Sequence, residues 1–361
     1  MSYKPKIGLL PIRGVLSKMI KGMDIPKSLN IKYHIDVMDP LIDSSNLSGN
    51  NWKAMLEKLY ANYTKYDAFV ILHGTDTLAY TSSLLSFFLR DWRKSVIVTG
   101  SQIPMFEFRN DAVQNIQDSI IMSLYRIPQV MIVFGGKILR GNCTSKYSST
   151  SFEAYKSPNV PPLGDFGVHL NINKSQVEHG NSRSTLPVVR SLPSRWKLDN
   201  WNNDLKILTF NLAPDQTSSM SQIIQGALVS ASKPHAIILR SYGVGNAPVT
   251  DKVFMETIGN ATKQGVVVVN TTQCFTGGVH MSYYQTGRTL KEHRVISAGQ
   301  MTSETVYSKL YYLFQVIGTD NPGKIRKLFE TNIAGESFES QFNVRVREDI
   351  LGYFKKYQEL G

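Results

Sequence analysis

Val70-Ile-Leu-His-Gly-Thr-Asp-Thr-Leu78 decides how this chain folds. Ala68–Leu72 is short, apolar and partly β-branched, as a strand buried on both faces of a sheet must be. His73-Gly74 ends the run. Thr75-Asp76-Thr77 then leads into Leu78–Leu89, whose apolar residues recur at helical spacing. Strand, sharp turn and helix together describe the carboxyl end of a parallel strand, where open α/β sheets place their ligands. A helix start presents free N–H groups to an anion such as a carboxylate. Thr75 adds a hydroxyl, and Asp76 can accept from an ammonium. Thr and Asp are also good helix caps, so the segment by itself leaves capping and ligand binding both open.

The same pattern extends outward. Ile7–Leu10, Ser95–Thr99 and Val130–Phe134 read as buried strands, and Asn51–Tyr63 and Asp111–Leu124 as helices. Such alternation predicts a parallel sheet with helices on both faces. A second series begins near Leu205. Lys206–Phe210, Ala236–Leu239, Val266–Asn270 and Arg294–Ser297 read as strands, with helices over Gln222–Leu228, Val253–Lys263 and Thr302–Val316. Between the two series, His169–Asn203 is polar and weakly periodic. A chain of 361 residues suits two domains better than one. The expected class is α/β, with a larger N-terminal parallel-sheet domain over 1–175 and a linker over 176–204. A smaller C-terminal α/β domain over 205–345 and a tail helix over 346–361 complete it.

Forty Lys and Arg face 28 Asp and Glu, a formal charge of +12. That balance suits proximity to nucleic acid or anionic lipid, or a basic cellular setting in general. No basic run is dense enough to form a nucleic-acid arm. Cys143 and Cys274 are far apart, so no disulfide framework is implied and a reducing compartment fits. No apolar stretch approaches the roughly 20 residues needed to span a bilayer, and no transmembrane segment is expected. The start, Met1 to Lys6, is polar and lacks the pattern of a secretory leader. The expected location is intracellular, cytoplasmic or organellar (mitochondria included), and not secreted.

Two more segments carry chemistry. In Leu139-Arg-Gly-Asn-Cys-Thr-Ser-Lys146, a lysine in a small polar loop could activate a threonine hydroxyl if its ammonium were desolvated. An isolated lysine is more often a solvated surface group. Asp43-Ser44-Ser45-Asn46, before a helix, is by itself a turn and cap signal.

Taken in order, these segments resemble one family, the type I (cytosolic-type) L-asparaginases. That family carries a DSS segment, an HGTDT strand end and a lysine in R-G-N-x-x-[TS]-K. Here they stand as Asp43-Ser44-Ser45, His73–Thr77 and Arg140–Lys146. Thr99-Gly-Ser-Gln-Ile-Pro104, Ser157-Pro-Asn-Val-Pro-Pro162, Ile238-Leu-Arg-Ser-Tyr-Gly-Val-Gly-Asn-Ala-Pro248 and Val269-Asn-Thr-Thr-Gln-Cys274 are similar to it as well. The resemblance implies a two-domain asparaginase fold that hydrolyses L-asparagine to L-aspartate and ammonia, with no metal and no cofactor. It implies a homodimer or a subunit of a larger complex. It assigns Thr75, Asp76 and Lys146 to the second catalytic group. Ser44 and Ser45 would hold the substrate α-carboxylate, and Asp76 would meet its α-amino group. Arg240, Thr272 and Cys274, with Ser145 beside them, resemble a regulatory asparagine site. Arg240 could equally hold the Ser241–Asn246 loop.

The opening turn departs from the family. Its members place the attacking threonine in a T-G-G-T-I turn after the first strand, helped by a tyrosine on a mobile flap. This chain has Leu10-Pro-Ile-Arg-Gly-Val-Leu16, which sets Val15 at the position of the attacking threonine, with Ile12 in place of the first threonine and Arg13 in place of the first glycine. Valine has the shape of threonine but no hydroxyl, so no acyl-enzyme can form there. Ser17 is the nearest hydroxyl, and no tyrosine occurs between Val15 and Tyr33, which lies at the next strand. A missing flap leaves water poorly excluded. Gln300 stands where members usually carry an aspartate before Met-Thr. The expectation is an impaired pseudoenzyme retained as a structural or binding module in a larger assembly. The alternative is an active L-asparaginase that uses Thr75 as its nucleophile.

Overall fold

The computed structural model describes residues 6–11, 29–40, 42–181, 198–282 and 285–337. Val15 and the rest of the opening turn, including Ile12, Arg13 and Ser17, lie outside the described residues. So do 182–197 of the expected linker and the expected tail helix over 346–361.

The first half runs β1 (Lys6–Pro11), β2 (Lys32–Ile35), α1 (Gly49–Asn62), β3 (Ala68–Leu72), α2 (Leu78–Phe88), β4 (Ser95–Thr99), α3 (Ala112–Ser123), β5 (Val130–Phe134) and β6 (Lys137–Arg140). It continues through β7 (Ser145–Lys146), β8 (Tyr155–Lys156), β9 (Gly164–Phe166), β10 (Leu170–Ile172) and α4 (Lys174–Asn181). One eight-stranded sheet has the order β10-β9-β6-β5-β4-β3-β1-β2. The expected parallel sheet is its β2, β1, β3, β4 and β5 portion. Three antiparallel strands, β6, β9 and β10, extend it, so the whole sheet is mixed. The reversal occurs at Gly135-Gly136, both with positive φ (56° and 72°). A two-residue turn of this kind makes a hairpin and leaves no room for a crossover helix. A Cβ at Gly135 would also stand 2.7 Å from the Phe152 carbonyl oxygen.

β3, β4 and β5 are buried at every position, which is why their sequences are continuous apolar runs. The stretch His169–Asn203, read as aperiodic, contains both β10 and α4. Each is too short or too polar to show a period.

The second half runs β11 (Ile207–Asn211), α5 (Thr217–Val229), β12 (Ala236–Ser241), α6 (Lys252–Lys263), β13 (Val267–Thr272), α7 (Gln285–Glu292), β14 (Ile296–Ser297), α8 (Ser303–Ile317) and α9 (Pro322–Phe329). Its four strands are all parallel, in the order β11-β12-β13-β14. Helix α5 starts at Thr217 rather than at Gln222. Its polar first turn is anchored by Thr217 Oγ1, which donates to Asp251 Oδ2 at 2.6 Å.

Helix α8 joins the halves by packing along α2. Leu84, Phe87 and Phe88 meet Val306, Leu310, Leu313 and Phe314 in one core that also includes Ile238, Val267 and Val269. Each such buried side chain contributes about 1.5–3 kcal/mol, so the two sheets share a core rather than hang on a tether. Ser83 Oγ and Thr305 Oγ1 lie 3.2 Å apart, and Ser308 Oγ donates to the Tyr80 carbonyl at 3.0 Å. These contacts fix α2, the helix that follows β3, against α8. No helix among the described residues is long and apolar enough to cross a membrane.

Candidate active site

The site starts where β3 stops. His73 is buried, and its backbone N–H donates to the Thr99 carbonyl at 2.7 Å. Its Nδ1 lies 2.7 Å from the Gly74 carbonyl oxygen, so Nδ1 carries the proton and Nε2 is the acceptor. Thr81 Oγ1 stands 2.8 Å from Nε2 and accepts in turn from Trp52 Nε1 at 2.9 Å. Burial pushes the His73 imidazole down to about 4, with the Gly74 contact acting in the opposite direction. The ring is therefore neutral and locks the strand end in place.

Gly74 has no room for a side chain. A Cβ there would lie 2.5 Å from Ser44 Oγ. This close approach lets the Asp43-Ser44-Ser45 turn press against the end of β3. The turn holds itself through Asp43 Oδ1, which accepts from the Ser45 N–H at 3.1 Å and the Ser45 hydroxyl at 3.2 Å. Ser44 is buried, and its carbonyl accepts from Thr77 Oγ1 at 2.8 Å. Ser45 is exposed. Both serines expected at the α-carboxylate thus stand beside the HGTDT segment.

Thr75 and Asp76 do not serve as the cap of α2. Thr77 is the N-cap residue, and no side-chain bond caps that helix. Instead Lys146 Nζ donates to Thr75 Oγ1 at 2.9 Å and to Asp76 Oδ1 at 2.8 Å. Lys146 is not a solvated surface lysine: its side chain is 19% exposed, against 63% for Asp76. The three residues expected to form the second catalytic group are therefore brought together, from strand positions separated by β4, β5 and β6. Lys146 sits on β7, directly opposite Tyr155 on β8. The Tyr155 hydroxyl donates to the Thr75 carbonyl. Burial raises the Tyr155 phenol far above its usual value, and the Asp76 and Glu304 charges add to that. Tyr155 was missed in the sequence because a two-residue strand leaves no pattern to read.

A cavity of about 480 Å³ opens on the other side of Lys146. Ser145, Arg240, Thr272, Cys274 and Glu304 line it together with Lys146. All four residues expected at the regulatory site therefore share one cavity. Their commitments differ. Thr272 Oγ1 donates to the Gly243 carbonyl at 2.5 Å and accepts the Cys274 N–H at 3.0 Å, so it holds a turn. Arg240 Nε is buried with no hydrogen-bond partner. The Cys274 thiol is exposed and free. Ser145 Oγ donates to Glu304 Oε1 at 2.6 Å. Burial raises the Glu304 carboxyl, opposed chiefly by that Ser145 bond and also by the Arg240 charge. Glu304 was not singled out in the sequence. Gln300 presents its carbonyl to Asn159 Nδ2 at 2.8 Å, which ties the second half to the Ser157–Pro162 segment.

A hydroxyl, an ammonium and a carboxylate in one hydrogen-bonded chain are parts of an acyl-transfer centre. Among the described residues no three His, Cys, Asp or Glu side chains group so as to hold a metal ion. Two α/β halves with this threonine, aspartate and lysine at one strand end have the architecture of an amidohydrolase. The family described as Asparaginase, N-terminal matches residues 11–178, and the Glutaminase/Asparaginase C-terminal domain matches residues 216–329. L-asparaginase 1 of Escherichia coli strain K12 is 36% identical over 333 residues, covering 91% of this chain and 92% of that protein. The crystal structure of L-asparaginase I from Vibrio cholerae has a TM-score of 0.77 at 29% identity, covering 93% of this chain and 100% of that one. A glutamyl-tRNA(Gln) amidotransferase subunit of Pyrococcus horikoshii is 28% identical over 304 residues, 82% of this chain and 65% of that protein. The chain belongs to the asparaginase family, in agreement with the type I resemblance of its motifs.

Proposed function

We propose that this chain is a catalytically impaired member of the family that binds L-asparagine and hydrolyses it weakly or not at all. It serves as a binding or structural module, within a homodimer or a larger assembly. The observation that carries this is a contrast. Thr75, Asp76 and Lys146 are assembled, whereas Val15 stands where the first attacking threonine belongs. Loss of a nucleophile lowers an enzymatic rate by several orders of magnitude. Asp76, open to solvent on one side, is suited to an α-amino group, and Ser44 and Ser45 to an α-carboxylate. Residues 176–204 act as the linker between the two catalytic-fold units, and the setting is intracellular. The kinship with a protein named as part of an amidotransferase supports the assembly role.

A second possibility rests on one distance. The 2.9 Å bond from Lys146 Nζ to Thr75 Oγ1 favours an active L-asparaginase with Thr75 as nucleophile. Ammonia release by the purified protein with L-asparagine separates the two. The impaired chain predicts release absent or several orders of magnitude below that of an intact member. Steady release at an intact member's rate that Thr75→Ala abolishes would replace it with the hydrolase. The buried, unpartnered Arg240 Nε supports a second asparagine site in the adjoining cavity. Calorimetry comparing wild type with Arg240→Ala tests that site, and an isotherm unchanged by the substitution removes it.

A further inference from the structure

The segment after α9 closes on the loop that carries Lys146. Lys309 of α8 and Glu336 form an ion pair at 2.5 Å, with side chains 1% and 0% exposed. Lys309 Nζ also donates to the Thr331 carbonyl at 2.7 Å and lies 5.2 Å from the centre of the Phe329 ring. The Glu336 carboxylate does more than answer the lysine. Its oxygens accept the Ile333 N–H at 2.9 and 3.1 Å and the Ala334 N–H at 2.6 Å. Gly335, at a positive φ of 79°, donates its N–H to Asn332 Oδ1 at 2.9 Å. Residues 331–337 are thus wound around one buried carboxylate.

That wound segment holds out two carbonyls. Ala334 O accepts Asn142 Nδ2 at 3.0 Å, and Gly335 O accepts the Cys143 thiol at 3.7 Å. Asn142 and Cys143 are buried and lie just ahead of Ser145-Lys146 on β7. From the opposite side, Thr305 Oγ1 donates to the Asn142 carbonyl at 2.8 Å. The Arg140–Lys146 loop is therefore clamped between α8 and the 331–337 turn. Its free end delivers Lys146 Nζ to Thr75 and Asp76.

We propose that Glu336 is the positioning residue for Lys146: its buried carboxylate shapes the 331–337 turn, and that turn sets the Arg140–Lys146 loop. Glu336 touches none of the three polar side chains at the site; the turn it shapes reaches their loop through Asn142 and Cys143. This placement of Lys146 holds whether or not the site cleaves an amide.

Lys146 accessibility reads this directly. The full-length protein is treated with an acetylating amine reagent, and the rate at Lys146 is followed by mass spectrometry, with hydrogen exchange over 139–147 and over α5 measured alongside. In Glu336→Gln, Lys309 is left charged and unpaired, the turn loosens, and Lys146 acetylates about tenfold faster. Exchange over 139–147 rises while α5 stays protected. The double variant Lys309→Met/Glu336→Gln removes the stranded charge, keeps an acceptor for the Ile333 and Ala334 N–H groups, and restores the slow rate. Should Glu336→Gln fail to fold, Asn142→Ala decides the matter, because it cuts the same link without stranding a charge and should also speed Lys146 labelling. An unchanged Lys146 rate in the folded variants would overturn the assignment. So would a rise shared equally by α5, which would make Glu336 a general stabiliser only.

Discussion

Two lysine–carboxylate pairs of nearly equal length sit in opposite surroundings in this molecule. Lys146–Asp76 spans 2.8 Å with side chains 19% and 63% exposed, and Lys309–Glu336 spans 2.5 Å with both closed off. In the closed pair, every direction around the carboxylate is taken by the lysine or by the Ile333 and Ala334 N–H groups. Burial pulls the Lys309 ammonium below its usual value, and the Glu336 charge opposes that. Nothing in that pair is free for a ligand. In the open pair, the carboxylate keeps more than half of its surface toward solvent and Thr75 shares the lysine. Distance alone does not tell a saturated pair from one with capacity to spare. What separates them is unused hydrogen-bonding capacity at an accessible strand end.

The contrast predicts unequal responses to substitution. The largest is at the closed pair. Glu336→Ala leaves Lys309 buried and alone, and urea denaturation should show a loss of about 3–5 kcal/mol. A loss below about 1 kcal/mol would mean that water reaches Lys309 and that the pair is not closed. His73, buried at the end of β3 two residues ahead of Thr75, gives the next effect. Its folded value of about 4 lies below its ordinary 6.5. The unfolded chain therefore takes up the proton first as pH falls, and stability is lost between pH 6.5 and 4. The loss approaches about 3 kcal/mol for this group. Stability measured across that range in wild type and His73→Gln should diverge, with the shallower slope in the variant; parallel slopes would show that the ring is not excluded from protonation. The smallest effect on folding is at the open pair. Lys146→Met should change stability by less than about 1 kcal/mol, because partly exposed pairs contribute little, yet it should remove the part of the L-asparagine binding heat that belongs to the Thr75–Asp76 site. A large loss of stability with binding intact would reverse the assignment of the two pairs.

What could be read in the sequence follows the same division between local and distant causes. β3, β4 and β5 were legible to the residue because strands buried on both faces must be unbroken apolar runs. The HGTDT segment was legible as the end of a parallel strand followed by a helix, the place where open α/β sheets put ligands; from its residues alone, capping and ligand binding both stayed open. β6, β9 and β10 were not legible, since short antiparallel strands with Lys137, Arg140 and Asp165 carry no apolar run. Thr75, Asp76 and Lys146 were linked through family resemblance alone; no spacing predicts a bond across seventy residues of chain. The His73–Thr81–Trp52 chain, Tyr155 on Thr75, Ser145 on Glu304 and Glu336 beneath the Lys146 loop arise only from tertiary packing. Tyr155, Glu304 and Glu336 read in sequence as ordinary polar residues.

On the proposed reading, Thr75, Asp76 and Lys146 bind L-asparagine although Val15 offers no hydroxyl at the first position. Isothermal calorimetry with L-asparagine, at a single temperature and with the purified full chain in the cell, tests both halves together. An impaired chain that still binds should give a saturable heat that returns to baseline after each injection. A heat flow that persists after injection and disappears in Thr75→Ala would contradict it, because the chain would then be turning its ligand over.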